Sequence, residues 1–187
     1  RAMFGTFCDV IGAPDLVIAN AGMAESAPFG KTSIDLWKRT MDVNLTGTFL
    51  TFREGLNVMG RAKPGRLISI ASTAGLKGYA YVNAYCAAKH AVVGLVKSLA
   101  TELASTPITV NAVCPGFMET PMLEQSVANI VAKTGMSAED ARASLAKINP
   151  QNRLIQPEEV AQTVMWLASS QAASITGQAI SVSGGEI

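Results

Sequence analysis

Tyr85 and Lys89 stand four residues apart in the stretch NAYCAAKHAVVG, residues 83 to 94. On a helix that spacing places both side chains on one face, one turn apart. An ammonium held there favours tyrosinate and draws the phenol below its ordinary value of about 10, toward the range useful for proton transfer. The pair alone is a weak signal, because an aromatic on a helix flank beside a solvated lysine has the same spacing. Ser72 alters the reading. It closes an apolar run thirteen residues earlier, and the loop TAGLKGYAYVNA can return the chain to the same spot. A hydroxyl there can hydrogen-bond a substrate oxygen while Tyr85 gives or takes its proton. Asn44, polar within an otherwise apolar helical face, is a candidate for ordering water; the plainer alternative is a capped or solvent-facing side chain.

These residues need a scaffold, and the apolar patterning supplies one. PDLVIANAG (14 to 22), GRLISIAS (65 to 72), ITVNAVCPG (108 to 116) and GQAISVSGG (177 to 185) are short apolar runs ended by turn residues, as expected of buried parallel strands. Between them the period lengthens. Met41, Leu45, Phe49, Phe52, Leu56 and Met59 predict a long amphipathic helix, with Thr32 and Asp35 as a capping box upstream. Val92, Val93, Val96, Leu99 and Leu103 predict a second, and Val160, Val164 and Leu167, entered through Pro157, a later one. Alternating strands and helices with long crossovers specify a doubly wound α/β sheet over a single domain, residues 1 to 187. Ligands in such sheets sit beyond the strands' C-terminal ends. Asn20, Ala21 and Gly22, Ser72, and Cys114, Pro115 and Gly116 all fall there. Residues 118 to 149 break the alternation as two short helices parted at Thr134 and Gly135, with Ser137 and Asp140 as a second capping box; a helical pair above strand ends is a lid candidate.

Composition narrows the function. Fifteen basic residues balance 14 acidic ones for a formal charge of +1, and no Lys/Arg run occurs, so nucleic acid is not an expected partner. Cys8, Cys86 and Cys114 are too widely spaced for a metal site and odd in number, as for reduced thiols in a reducing compartment. No apolar run approaches the ~18 residues of a membrane span, and the first residues lack a signal peptide's order. A cytoplasmic protein with no membrane partner is expected.

Asn20-Ala21-Gly22, Asn44, Ser72, Tyr85-x-x-x-Lys89 and Pro115-Gly116-x-x-x-Thr120 follow one another in an order that resembles the short-chain dehydrogenase/reductase family over essentially the whole chain. The resemblance implies a Rossmann-like fold and an NAD- or NADP-dependent oxidoreductase of a ketone and a secondary alcohol. By it, Tyr85 is the general acid or base, Lys89 binds the nicotinamide ribose and lowers the phenol, Ser72 holds the substrate carbonyl, and Asn44 holds a relay water. Asn20, Ala21 and Gly22 line the cofactor cleft, and Pro115, Gly116, Met118 and Thr120 receive the carboxamide and pyrophosphate. A homotetramer or homodimer joined through the helices of Asn44 and Tyr85 is implied too, with Val93, Val96 and Ala100 either in that contact or in the core. His90, turned about 100° from Lys89, is assigned to packing or an interface.

The family's opening strand and T-G-x-x-x-G-x-G turn do not occur, so the first strands, roughly 60 to 75 residues at about 30 per strand-helix-strand unit, are expected to be lacking, and with them the residue that chooses between NAD and NADP. Leu76, Tyr79, Tyr81 and Val82 of the loop, with Met118, Met122, Leu123, Val127 and Ile130 of the lid, suit an apolar substrate with one reacting oxygen. For Val127 and Ile130, packing the lid is an equal alternative. A 3-oxoacyl thioester or similar ketone is the expected substrate. The alternatives are a 3-hydroxybutyrate-type acid, for which Lys77 is the one cation near the chemistry, and a non-catalytic dinucleotide-binding protein.

Overall fold

The computed structural model describes residues 2 to 187, with side chains from Phe4 onward. The four apolar runs form β1 (Leu16–Ala19), β2 (Gly65–Ile70), β3 (Ile108–Pro115) and β4 (Ala179–Val182). All pair in parallel, in sequence order across the sheet. Every residue of β3 is buried, as a strand covered on both faces must be. On one face α1 (Ala2–Ile11), α3 (Gly47–Met59) and α4 (Asn83–Glu102) cover the sheet, Phe52, Val92, Val96 and Leu103 meeting Leu67 and Val110. On the other face Val160, Val164 and Leu167 of α7 (Pro157–Ala168) pack on Ile68 and Val113. This is the doubly wound α/β arrangement that the alternation predicts. No described helix is long and apolar enough to cross a membrane.

The predicted helix over Met41 to Met59 forms, but with one irregular turn. It comprises α2 (Ile34–Met41), a π-helical turn Asp42–Thr46, and α3. The cap also moves by one residue: Ser33, not Thr32, starts α2, its Oγ accepting from Leu36 N at 3.1 Å. Thr32 instead donates to the Pro28 carbonyl and accepts from Asn83 Nδ2 at 3.0 Å, which ties this loop to the first residue of α4. The two helices expected over residues 118 to 149 form, α5 (Pro121–Thr134) ending at Gly135 with φ +74° and α6 (Ala138–Ala146) capped by Ser137. The two share a small core of their own, with Leu123, Val127, Ala141 and Leu145. Leu123 and Val127 therefore belong to the lid's interior rather than to a substrate surface, and Ile130 packs against the same core. After the lid the chain returns to the sheet side through a parallel bridge between Met118 and Ile155, which the sequence reading omitted.

Gly75 sets how closely the turn after β2 can approach α4. A Cβ there would stand 2.7 Å from the Lys89 carbonyl oxygen and 3.0 Å from its carbon, both backbone atoms that cannot rotate away. Gly94, on the same helix, has nothing within 4 Å of the equivalent position. Gly75→Ala is expected to lower the unfolding free energy by about 1–3 kcal/mol through overpacking, whereas Gly94→Ala should raise it by about 0.4–1 kcal/mol by restricting the unfolded chain. Denaturant melts of the two variants check the pair.

Candidate active site

Ser72 leaves β2 in an extended conformation and caps a 3-10 turn, Thr73–Gly75, its Oγ accepting from Ala74 N at 3.1 Å. That bond uses a lone pair and leaves the hydroxyl proton for another acceptor. This side chain neighbours the hydroxyl of Tyr85, the third residue of α4, and acts to lower its phenol. One turn on, Lys89 is only 3% exposed; its Nζ donates to the Ile70 carbonyl at 2.9 Å and lies 5.6 Å from the Tyr85 ring centroid. The helix thus delivers both residues to the end of β2, as the spacing predicts.

The electrostatics depart from expectation. Burial pushes the Tyr85 phenol above its ordinary value, and the Ser72 side chain is what pulls it back. The expected pull from Lys89 is not among the causes. Burial holds that ammonium down at about 8, and one of its protons is committed to Ile70. Cys114 at the end of β3 lies close by: it is fully buried, and burial pushes its thiol up to about 11 against the opposing influence of the Ser72 main chain and Lys89.

Asn44 sits in the π turn and is fully buried. Its Nδ2 donates to the carbonyls of Met23 and Thr40, both at 2.9 Å, and its Oδ1 accepts from Met23 N at 3.2 Å. Both amide donors are spent, so only the second lone pair of Oδ1 is left to hold a water. The widened turn is what turns an interior helix position toward the chain that leaves β1. Gly22 completes the corner: a Cβ there would stand 3.1 Å from Asn44 Oδ1 and 3.6 Å from Lys89 Nζ. Bare backbone at this point is what leaves room for a ligand against those two groups, so the corner fits a dinucleotide.

Asn20 and Ala21 are exposed beyond β1, and Pro115 and Gly116 close β3. Met118 packs toward α7 and makes the bridge to Ile155, while Thr120 begins α5 with its hydroxyl on the Met118 carbonyl at 3.3 Å. Asn44, Ser72, Tyr85, Lys89 and Gly22 therefore converge; Met118 and Thr120 reach the lid's root instead. His90 is exposed, its Nδ1 2.9 Å from the Cys86 carbonyl, outside the constellation.

Sequence reasoning missed a polar group at the same sheet edge. Glu186, beyond β4, has a side chain only 2% exposed; its Oε1 accepts from Lys77 Nζ at 2.8 Å and from the Tyr79 hydroxyl. Tyr79 in turn lies 2.7 Å from Thr73 Oγ1. The rule that ligands lie beyond strand ends applies to β4 as to the others, and it would have pointed to this residue.

A doubly wound parallel sheet with a serine, a tyrosine and a lysine converging at its C-terminal edge defines a Rossmann-like oxidoreductase. A family model described as Enoyl-(Acyl carrier protein) reductase matches residues 1–186. A Streptomyces violaceoruber protein named as a ketoacyl reductase of the granaticin polyketide synthase is 39% identical over 199 aligned residues, covering 97% of this chain and 73% of the relative. The D-beta-hydroxybutyrate dehydrogenase of Rhizobium meliloti is 34% identical, covering 98% and 71%. Actinorhodin polyketide ketoreductase F189W, solved with NADPH, superposes with a TM-score of 0.94 at 36% identity, over 99% of this chain and 72% of that one. The chain belongs to the short-chain dehydrogenase/reductase family. It is an NAD(P)-dependent oxidoreductase acting on CH–OH groups.

Holding Lys89 in the interior has a stability cost with a definite pH window. Its folded value of about 8 lies below the ordinary 10.5, so between these values the unfolded chain binds the extra proton. The cost, about 3 kcal/mol, is full below pH 8 and is relieved as pH rises to 10.5. Lys89→Met is expected to be inactive yet about 1–2 kcal/mol more stable than the parent at pH 7, part of the gain being offset by the lost bond to Ile70. Melts of both proteins at pH 7 and pH 10.5 should show that advantage shrinking at the higher pH.

Proposed function

We propose that Tyr85 exchanges a proton with the reacting oxygen of a 3-oxoacyl thioester or comparable apolar ketone, as acid in reduction and base in oxidation. Ser72 holds that oxygen through the hydroxyl proton that its bond from Ala74 leaves free. Lys89 and Tyr85 hold NAD or NADP at the corner left open by Gly22, Asn20 and Ala21 flank it, and Pro115, Gly116, Met118 and Thr120 receive its other side. When bound, the cofactor supplies or accepts a hydride at the carbon bearing that oxygen. Asn44 Oδ1 and Lys89, both flanking Gly22, hold a water that passes the Tyr85 proton to solvent. The observation that carries this reading is the pairing of Ser72 with Tyr85 one helical turn from a buried lysine.

Two observations support an uncharged substrate. Lys77, the cation on the loop after Ser72, is already paired with Glu186 at 2.8 Å, and Tyr81 and Met122 leave exposed apolar surface on the loop and the lid. The lid closes over the cleft in this reading; Lys133 of α5 already reaches Ser26, in the chain beyond β1, at 3.2 Å. A homodimer or homotetramer forms through α3 and α4, where Phe49 and Leu50 are 43% and 40% exposed beside a groove that also involves Leu56, Leu95 and Leu99. Val93, Val96 and Ala100 are buried in the chain's own core and are not part of that contact. The protein works in the cytoplasm.

Tyr85→Phe is expected to lower ketone reduction by at least about 10³-fold while the affinity for NADPH or NADH, read by fluorescence titration, changes less than about threefold. Full turnover in this variant overturns the assignment. Cofactor-dependent protein binding with no turnover of any ketone by the parent would show a non-catalytic member.

A further inference from the structure

We propose that Glu186 decides the charge of the substrate: by neutralising Lys77 it makes the cleft a site for uncharged ketones and turns free 3-oxo acids away. The inference rests on the ketone reading above and adds to it a residue and a class of excluded ligand.

Lys77 lies five residues after Ser72 and is the sole Lys or Arg between Ser72 and Ala88. Its ammonium is 2.8 Å from Glu186 Oε1 and 5.0 Å from the centroid of the Tyr79 ring. Tyr79 donates its single hydroxyl proton to the same carboxylate oxygen, so the Thr73 hydroxyl, 2.7 Å away, is the donor to Tyr79. The cation is thus joined through three successive polar contacts to the residue next to Ser72. The two members of the pair are unequally covered: the Lys77 side chain is 38% exposed and that of Glu186 is 2% exposed. The lysine is thus the member of the pair that a solute can reach, and the glutamate cancels its charge from the covered side.

Glu186 is also locked in place. Its Oε2 is buried without a partner and lies 3.1 Å from where a Cβ on Gly116 would stand, at the end of β3. Enclosed there, and with both donors on Oε1, the carboxylate cannot swing out to meet solvent. A carboxylate substrate would therefore compete for Lys77 with an anion already in contact with it.

Glu186→Gln keeps the shape and leaves one oxygen to accept from Tyr79 and Lys77, while uncovering the positive charge. The measurement is the ratio of kcat/KM for 3-oxobutyrate to that for its ethyl ester, a probe pair differing in charge, in the intact protein with NADH or NADPH. One uncovered charge acting on a charged probe at low salt predicts that Glu186→Gln raises the ratio about tenfold, less at high salt. Lys77→Met should lower it by a similar factor, because the anion is then unpaired, and Lys77→Met with Glu186→Gln should restore the parent value. A ratio that stays within twofold in Lys77→Met and Glu186→Gln, with the ester still reduced, overturns the proposal. Should Glu186→Gln fail to fold, Lys77→Met alone decides in the same way. Failure of the parent to reduce either probe or any longer 3-oxo ester instead overturns the ketone reading itself.

Discussion

An ammonium held inside the domain is the constraint around which the rest is arranged. Lys89 belongs to the helix face that also buries Val92, Val93 and Val96 against the sheet, yet it carries a group that the interior disfavours. The structure answers with one acceptor, the carbonyl of Ile70 at the end of β2, rather than with a carboxylate. A carboxylate would have fixed the charge and restored the lysine's ordinary value; the carbonyl leaves it at about 8. The group therefore titrates near physiological pH, where a proton path can use it. Gly75 and Gly22 follow from the same constraint, since each keeps backbone tight against Lys89 or its neighbour Asn44 where a side chain would intrude.

Asn44 shows how the opposite wall is made. A regular helix from Ile34 to Met59 would satisfy each peptide group within itself and leave a side chain amide without a reason to face inward. The π turn releases the Thr40 carbonyl to Asn44 Nδ2, and the same amide holds both polar groups of the Met23 backbone. The chain leaving β1 is thereby pinned to α2 and α3 by one residue. Thr32 does the equivalent for α4 through Asn83, two residues before Tyr85. Local irregularities, rather than the regular elements, aim the reactive groups.

The regular elements were the legible part. Each strand is an apolar run between turn residues because both faces of a parallel sheet are covered, and α4 and α7 show their buried faces in the spacing of Val92, Val96, Val160 and Val164. Tyr85, Lys89 and Ser72 could be placed because strand ends and a four-residue helical step are periodic facts. The irregular turn in the long helix was hidden by an apolar pattern that runs through it; the two successive four-residue steps from Met41 to Leu45 to Phe49 are the trace that the wider turn leaves. Thr32 and Ser33 are adjacent hydroxyls, and the backbone, not the motif, chose between them. The end of β4 marks Glu186 as a residue to look at, but its contacts were not legible, because its partners lie more than a hundred residues away and no local pattern encodes them.

Two tyrosines compete for the acid/base role near Ser72, and their surroundings separate them. Tyr79 gives its proton to a buried carboxylate; burial and that hydrogen bond hold its phenol far above the ordinary value. Ionising it would place a second negative charge against Glu186, so it stays protonated and serves to orient Thr73. Tyr85 is also raised by burial, but the neighbour that pulls it back is the Ser72 hydroxyl, a group able to donate to a phenolate and to accept from a phenol. A residue that must hold a proton in one direction of reaction and lose it in the other needs a partner of that kind. The carboxylate that makes Tyr79 useful as a support is the feature that unsuits it for acid/base work, and the proposed mechanism accordingly gives the proton transfer to Tyr85.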